Sequence, residues 1–297
     1  MMKKVLITGA NGLVGQKLVT ALQGNELIAT GYRPEPRFNP NLATYEVLDI
    51  ANASDCKDLV NRFLPDVIVN AAAYTNVDGC ETDRETCWKV NVKGVENLAQ
   101  AARKCMAQLV HISTDYIFDG KEGPYQEDAH PRPLGYYGKA KLASENTVRM
   151  TGIPYAIIRT NVVYGTGNGV KNNFFLWVYN QLKNGNPIRI VTDQYNNPTL
   201  ADDLAEGIRL LIDKSAYGVF HLSGEDYLNR FDFALLLGDV YGFPTDNVSP
   251  ILTADLEQKS PRPLKGGLTI DHAKKELGYA PKSLREAFEY LKKEMSN

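Results

Sequence analysis

The sequence has few cysteines, no surplus of basic charge and no long apolar run, and each shortage excludes a class of protein. Four cysteines in 297 residues, without a Cys-x-x-Cys spacing, are too few for a disulfide framework, so we expect reduced thiols. The 33 Lys and Arg residues against 35 Asp and Glu leave no charge to neutralise a phosphate backbone, so we expect no nucleic-acid partner. No stretch approaches the ~18 uncharged apolar residues of a membrane helix, so we expect no membrane span.

The first residues do not resemble a secretion signal. Lys3 and Lys4 are basic, but Thr8 and Gly9 interrupt the apolar stretch before the ~7 to 15 residues that a signal peptide needs. We therefore expect no export signal and a cytoplasmic location. The histidines at 130, 221 and 272 stand without ligand spacing, so we expect no metal site. A monomer and a homodimer both fit the sequence.

The first half of the chain alternates β-branched runs with helical stretches, which is typical of βαβ units and a parallel sheet. The predicted strands are residues 4–8, 26–31, 44–48, 66–70, 108–113 and 155–159. The predicted helices between them are residues 13–23, 55–63, 87–104 and 137–150. The predicted fold class is therefore α/β, with a Rossmann-type doubly wound parallel sheet.

The second half has a different texture, with loops rich in Gly, Asn and Pro between shorter helices. These helices are predicted at residues 173–183, 201–213, 231–241 and 284–293. We expect a dinucleotide-binding domain over residues 1–165 and a smaller substrate-binding domain over 166–297. A strand-like segment at 218–222 indicates that residues of about 187–222 partly return to the first domain, which makes the second domain interleaved.

A glycine-rich segment follows the first predicted strand and begins the first helix. Gly9 suits a tight turn, Gly12 a close approach to a pyrophosphate, and Gly15 close packing of helix on strand. The helix N-terminus would then face the phosphates of a dinucleotide. The predicted cofactor-binding residues of this segment are Gly9, Asn11, Gly12, Leu13, Val14 and Gly15.

The residues at the end of the second predicted strand indicate whether the dinucleotide is NADPH or NADH. No carboxylate stands there to bind a ribose 2′-OH, and Arg33 and Arg37 follow closely. This pattern favours NADPH, with contact through Arg33, and leaves NADH as the alternative.

The spacing Gly-x-x-Gly-x-x-Gly in residues 9–15 resembles the short-chain dehydrogenase/reductase superfamily, and the chain length resembles its extended branch. The resemblance implies further cofactor contacts beyond the phosphate loop. Asp49 would bind the adenine amino group beside Ile50, small side chains would lie against the nicotinamide ribose, and Asn91 would help to hold the site. The small side chains are Ala71, Ala72 and Ala73.

A Tyr-x-x-x-Lys motif places a phenol and an ammonium one helical turn apart, where the cation can stabilise a phenolate. Two places satisfy it, Tyr137/Lys141 and Tyr179/Lys183, but only the first follows a strand that ends in Ser-Thr-Asp. We therefore predict Tyr137 as the proton donor and Lys141 as its partner, and the resemblance implies that both also contact the cofactor. By the same resemblance, Thr114 would hold the substrate carbonyl oxygen.

Three longer segments, residues 70–78, 113–120 and 137–141, resemble the dTDP-4-dehydrorhamnose reductase family, and the likeness covers most of the chain. It implies NADPH-dependent reduction of the 4-keto group of a nucleotide-activated 6-deoxysugar, giving dTDP-L-rhamnose. The chain departs from the family at Lys17, where a glutamate contributes to a magnesium-linked dimer in some relatives. We expect no metal there.

The substrate is expected in the crevice at the carboxyl ends of the strands. The predicted sugar-binding residues are Thr75, Val77, Thr114, Tyr116 and Asn161. Arg262 and Lys265, in a later loop, are the predicted cationic ligands of the diphosphate.

Two alternative functions fit the same motifs. One is a nucleotide-sugar epimerase of the same superfamily. The other is a non-catalytic regulatory subunit that resembles that of methionine adenosyltransferase. A dehydratase is disfavoured because Tyr116 stands where dehydratases carry a glutamate that abstracts a proton.

Overall fold

The alternating pattern of the sequence produces a layered α/β structure in the computed structural model, which describes residues 2–296. Its strands are β1 (Lys4–Thr8), β2 (Glu26–Gly31), β3 (Thr44–Val47), β4 (Val67–Asn70), β5 (Gln108–Thr114), β6 (Tyr155–Thr160), β7 (Val163–Tyr164), β8 (Ile188–Val191), β9 (Tyr195–Asn196), β10 (Thr199–Leu200), β11 (Gly218–His221), β12 (Leu228–Asn229) and β13 (Val248–Ile251). Its helices are α1 (Leu13–Ala21), α2 (Ala53–Phe63), α3 (Val77–Thr82), α4 (Arg84–Trp88), α5 (Gly94–Ala102), α6 (Tyr136–Met150), α7 (Phe174–Lys183), α8 (Ala201–Asp213), α9 (Arg230–Tyr241), α10 (Asp271–Leu277) and α11 (Leu284–Glu294).

The central sheet has seven parallel strands in the order β11-β6-β5-β4-β1-β2-β3. The order of its first six strands in the chain is that of a doubly wound dinucleotide-binding fold, in which the strand order reverses beside β1. The predicted fold class is confirmed.

Helices cover both faces of this sheet, because its strands are apolar on both sides. Val5 and Ile7 of β1 face the core under α1, α8 and α10, whereas Leu6 faces the core under α2, α5 and α6. Successive residues of a strand point to opposite faces, so one continuous apolar run serves both cores.

Most of the later helices surround a separate aromatic core. Tyr164, Phe175, Phe233 and Phe288 are buried together, with the rings of Phe233 and Phe288 4.9 Å apart between centroids. The strand β8 pairs with β13 beside this core, while β11 joins the large sheet and α8 packs on α1. The predicted domain boundary at residue 165 stays a prediction.

Within residues 2–296, none of the helices combines the length and the apolar character that crossing a membrane requires.

Candidate active site

Two cavities lie side by side at the carboxyl ends of the sheet strands, where a doubly wound fold binds its ligand. The larger cavity holds about 580 Å³ and extends from the beginning of α1 to the beginning of α6. The smaller cavity holds about 470 Å³ and lies against the ends of β2 and β3. The two share the wall residues Gly12, Ala71, Ala72 and Ala73. Together they form one elongated site.

The predicted phosphate loop forms the tight connection between β1 and α1. A Cβ atom at Gly15 would overlap the carbonyl oxygen of Gly9, so only glycine lets the helix pack this closely on the loop. Gly12 is the N-cap of α1, and its N–H donates to the Gly9 carbonyl at 2.9 Å. The residues of this segment that line the larger cavity are Asn11, Gly12, Leu13, Val14 and Gly15, and Gly9 lines the smaller one.

Asn11 connects the phosphate loop to the segment after β2. Its Nδ2 donates to the Glu35 carbonyl at 3.0 Å and to the Tyr45 hydroxyl at 2.8 Å, and its Oδ1 accepts from the Arg37 N–H at 2.7 Å. The two arginines of this segment differ in position. Arg37 lines the larger cavity, whereas Arg33 is exposed and lines neither cavity.

The smaller cavity contains both residues predicted at the end of the third strand. Asp49 and Ile50 lie in its wall. The Asp49 carboxylate also accepts the Ala51 N–H at 2.9 Å, as a turn-forming aspartate would. Its position is therefore compatible with both a turn and a ligand contact.

The three predicted catalytic side chains, Thr114, Tyr137 and Lys141, line the larger cavity together. They come from the end of β5 and the beginning of α6. A Cβ atom at Gly138 would overlap the carbonyl oxygen of Tyr116, so glycine allows α6 to pack directly on the segment after β5. This packing sets the rings of Tyr137 and Tyr116 edge to face, with centroids 5.7 Å apart.

Burial shifts the pKa values of Tyr137 and Lys141 in opposite directions. Burial, together with the Tyr116 phenol, raises the pKa of Tyr137, so its phenol is protonated at neutral pH. Burial lowers the pKa of Lys141 to about 8, although the Glu145 carboxylate acts to raise it. Lys141 is therefore charged at neutral pH and loses that charge as the pH rises through about 8. At neutral pH the cavity wall therefore holds a protonated phenol and a charged ammonium.

Lys141 belongs to a buried series of hydrogen-bonded groups. Its Nζ donates to the Ile112 carbonyl at 2.7 Å and lies 3.4 Å from His111 Nε2. Asn70 Nδ2 lies 3.2 Å from His111 Nδ1, and Asn70 Oδ1 accepts from Thr8 Oγ1 at 2.6 Å. Burial and the charge of Lys141 lower the pKa of His111, which keeps the imidazole neutral. The ammonium therefore has a fixed place without a competing positive charge.

Asn91 lies behind the cavity wall. It belongs to a π-helical turn, Lys89–Lys93, which divides the helix predicted over residues 87–104. Its Oδ1 accepts from the N–H of Tyr74, and its Nδ2 donates to the Tyr74 carbonyl, both at 2.9 Å. Asn91 lines neither cavity, so its geometry supports a role in holding the segment after β4 and not a direct cofactor contact.

Four predicted sugar-binding residues besides Thr114 line the larger cavity: Thr75, Val77, Tyr116 and Asn161. The Nδ2 atom of Asn161 is buried and finds no hydrogen-bond partner within residues 2–296. A buried donor without a partner calls for an explanation, and Asn161 belongs to the cavity wall where a ligand would lie. The neighbouring Val162, also in the wall, has a φ of 38°, which is strained for a β-branched residue.

Arg262 and Lys265, the predicted diphosphate ligands, line neither cavity. Arg262 Nη2 pairs with Asp78 Oδ2 at 2.9 Å, and its Nη1 donates to the Ser260 carbonyl at 3.0 Å. Lys265 is exposed, and its backbone N–H donates to the Gly120 carbonyl at 2.8 Å. The Arg262 guanidinium lies 6.0 Å from the centre of the Tyr116 ring, which lines the larger cavity, so a diphosphate contact by Arg262 or Lys265 stays a prediction.

Arg230 is the cationic residue that the sequence analysis missed. It is the first residue of α9, after the N-cap Asn229, and its guanidinium lies 4.5 Å from the centre of the Phe174 ring. It lines the larger cavity, and its Nε atom is buried without a hydrogen-bond partner in the described part of the chain. Such a group suits an anionic ligand. A single arginine before an apolar helix carries no sequence motif.

The second Tyr-x-x-x-Lys motif lies away from both cavities. Tyr179 packs in the aromatic core, with its ring centroid 5.1 Å from that of Tyr241 and 5.5 Å from that of Phe243. Lys183 Nζ lies 5.6 Å from the centre of the same tyrosine ring. This pair is part of the packing of α7.

Comparison with known proteins reveals extensive similarity. The family profile described as RmlD substrate binding domain matches residues 2–297. The spore coat polysaccharide biosynthesis protein SpsK of Bacillus subtilis is 34% identical over 299 residues, which cover 99% of each chain. A dTDP-4-dehydrorhamnose reductase of Aggregatibacter actinomycetemcomitans is 32% identical over 303 residues, covering 98% of this chain and 99% of that protein. Methionine adenosyltransferase 2 subunit beta of Xenopus tropicalis is 32% identical over 270 residues, covering 88% of this chain and 78% of that protein.

Solved structures agree with this similarity. A dTDP-4-dehydrorhamnose reductase of Clostridium acetobutylicum superposes with a TM-score of 0.88 at 32% identity, covering 99% of this chain and 100% of that chain. The dTDP-4-dehydrorhamnose reductase of Bacillus anthracis, solved in complex with NADP, gives a TM-score of 0.86 at 31% identity with the same coverage.

Proposed function

The chain belongs to the RmlD substrate-binding domain family, and we propose that it is an NADPH-dependent reductase of a nucleotide-activated 4-keto-6-deoxysugar. The observation that carries this proposal is that Thr114, Tyr137 and Lys141 line the same cavity as the phosphate loop. Carbonyl reduction needs a proton donor and an oxygen-binding group beside the dinucleotide. The relatives named dTDP-4-dehydrorhamnose reductase support dTDP-4-dehydrorhamnose as the substrate and dTDP-L-rhamnose as the product.

The residues of the elongated site fit a dinucleotide. The glycine-built loop, with no room for a Cβ at Gly15, and the N-terminus of α1 would hold the pyrophosphate. Asp49 and Ile50 would hold the adenine end. When bound, NADPH supplies the hydride that reduces the carbonyl carbon. The NADP complex of the Bacillus anthracis relative supports NADPH, with NADH as the alternative.

The proton that completes the reduction comes from Tyr137 in this proposal. Its phenol donates to the carbonyl oxygen of the sugar, and the ammonium of Lys141 stabilises the phenolate. Thr114 Oγ1 accepts the Tyr116 N–H at 3.2 Å and donates to Asp115 Oδ1 at 3.3 Å. Because the second bond is long, the substrate oxygen can replace Asp115 as the acceptor. Thr114 would then orient the carbonyl during proton transfer.

Arg230 would take the role first assigned to Arg262 and Lys265. Its guanidinium lines the cavity, while Phe174 packs against its face. A diphosphate offers the anionic oxygens that such a group binds best. Asn161, with its unpartnered Nδ2, would donate a further hydrogen bond to the nucleotide sugar.

The proposal is tested by incubating the protein and NADPH with nucleotide-linked 4-keto-6-deoxysugars and with the matching free sugars. We expect one sugar alcohol for each NADPH oxidised with a nucleotide-linked substrate, and poor turnover of the free sugars. The difference arises because binding energy at the diphosphate and base positions the carbonyl. Equal turnover of the free sugars would contradict this account of the site.

The two alternative functions give different results in the same assay. An epimerase would convert the sugar into an isomer without net consumption of NADPH. A regulatory subunit would bind the dinucleotide without turnover and would associate with a methionine adenosyltransferase.

A further inference from the structure

The segment 165–173, which we call the strap, forms part of the wall of the larger cavity. Val170, Asn172 and Asn173 line the same cavity as the phosphate loop. The strap connects β7 to α7 and contains three glycines, at 165, 167 and 169. Asn168, Gly169, Lys171 and Asn172 are exposed, so the strap gains little stability from its own packing.

A single side chain of α1 holds the centre of the strap. Gln16 Oε1 accepts from the N–H of Asn168 at 2.9 Å, and Gln16 Nε2 donates to the Asn168 carbonyl at 3.0 Å. The same Nε2 donates to the Asn11 carbonyl at 3.1 Å. Gln16 is buried in the first part of the helix whose N-terminus faces the cavity. One amide therefore connects the phosphate loop to the strap.

Two further contacts hold the strap on its outer side. Arg37 Nη1 donates to the Gly169 carbonyl at 2.8 Å. Thr166 Oγ1 donates to Glu294 Oε2 at 2.6 Å, and Glu294 Oε1 pairs with Lys17 Nζ at 3.0 Å. The strap is thus attached to the segment after β2, to α11 and, through Gln16, to α1.

We propose that the strap retains the dinucleotide in the larger cavity, and that Gln16 is the positioning residue that keeps it closed. A pyrophosphate on the N-terminus of α1 shares its cavity with Val170 and Asn172, so the strap limits its release. The strap is the wall segment that opens, because side-chain hydrogen bonds hold it and its own packing contributes little. This inference rests on the proposed binding of NADPH.

Two measurements test the proposal: trypsin cleavage within the strap and the rate of NADPH release. Lys171 is exposed and provides the trypsin cleavage site in the strap. NADPH should protect the bond after Lys171 in the unmodified protein. Gln16→Ala should restore cleavage there and accelerate NADPH release by about 5- to 30-fold, as expected for the loss of two hydrogen bonds. Release is measured by stopped-flow fluorescence, and Lys171→Ala identifies the cleavage product.

Two further variants test whether the changes in cleavage and release depend on the contacts of the strap. Thr166→Val removes a contact outside the cavity and should shift both readouts in the same direction by a smaller factor, about 2- to 5-fold. Gln23 lies just beyond the end of α1, and its amide donates to the Val19 carbonyl within the helix, so Gln23→Ala should change neither readout.

Faster release from Gln16→Ala with unchanged cleavage would mean that Gln16 acts through Asn11, and would overturn the proposal. Unchanged release and unchanged cleavage would overturn it as well. If NADPH does not bind the unmodified protein, the proposed function fails together with this inference.

Discussion

Replacing Arg230 with methionine should weaken the binding of a nucleotide sugar without destabilising the fold. Methionine keeps an apolar side chain beside Phe174 and removes the charge that lines the larger cavity. Hydrogen bonds to a charged group contribute about 1.5 to 3 kcal/mol, so the KM for the nucleotide sugar should rise about 10- to 150-fold. The Nε atom of Arg230 donates no hydrogen bond within residues 2–296, so replacing Arg230 takes no Nε donor away from an acceptor there. The free energy of unfolding should change by less than about 1 kcal/mol.

The assay measures KM and kcat for the nucleotide sugar at saturating NADPH, together with chemical denaturation. Arg262→Met is the matched control, since Arg262 pairs with Asp78 and lines neither cavity. It should leave KM within about threefold and lower the free energy of unfolding by about 1 to 3 kcal/mol, because it removes two hydrogen bonds of a largely buried guanidinium. A larger rise in KM for Arg262→Met than for Arg230→Met would refute the assignment of the diphosphate to Arg230.

Four further predictions concern the wall of the site. Tyr137→Phe should lower the rate of the chemical step by about 10²- to 10⁴-fold in single-turnover kinetics, and retention of a third of the rate would exclude Tyr137 as the acid. Because burial lowers the pKa of Lys141 to about 8 in the ligand-free protein, kcat/KM should fall as the pH rises through about 8, and a flat profile to pH 10 would contradict this. Arg33→Ala should reduce the preference for NADPH over NADH in binding titrations, because Arg33 follows Tyr32, which lines the smaller cavity where the adenine end would lie; an unchanged preference would contradict this. Val162→Gly should leave thermal stability unchanged or higher, because relief of the strained φ offsets the lost side chain, and a loss above about 2 kcal/mol would show that no strain is stored there.

The sheet and the catalytic motif could be predicted from the sequence because their signals are local. The apolar run at 4–8 precedes a glycine-rich segment, and the structure forms β1 and α1 there. Tyr137 and Lys141 are one helical turn apart, so their joint position follows once α6 forms. Local patterns of this kind need no knowledge of distant contacts.

The diphosphate side of the site could not be predicted in the same way. Arg230 follows β12, which pairs with β9, and the Arg262 guanidinium pairs with Asp78 from the first half of the chain. Both facts depend on contacts between residues far apart in sequence. The strap is a similar case, since the partner of Gln16 is the backbone of Asn168, which no side-chain pattern reveals.

The central claim is that this chain reduces a nucleotide-linked 4-keto-6-deoxysugar with NADPH. The most direct measurement follows NADPH oxidation and sugar product together in one reaction with dTDP-4-dehydrorhamnose. The account predicts that each NADPH consumed yields one dTDP-L-rhamnose, and that Tyr137→Phe slows both signals equally. Binding of NADPH without oxidation, or conversion of the sugar without NADPH consumption, would contradict it.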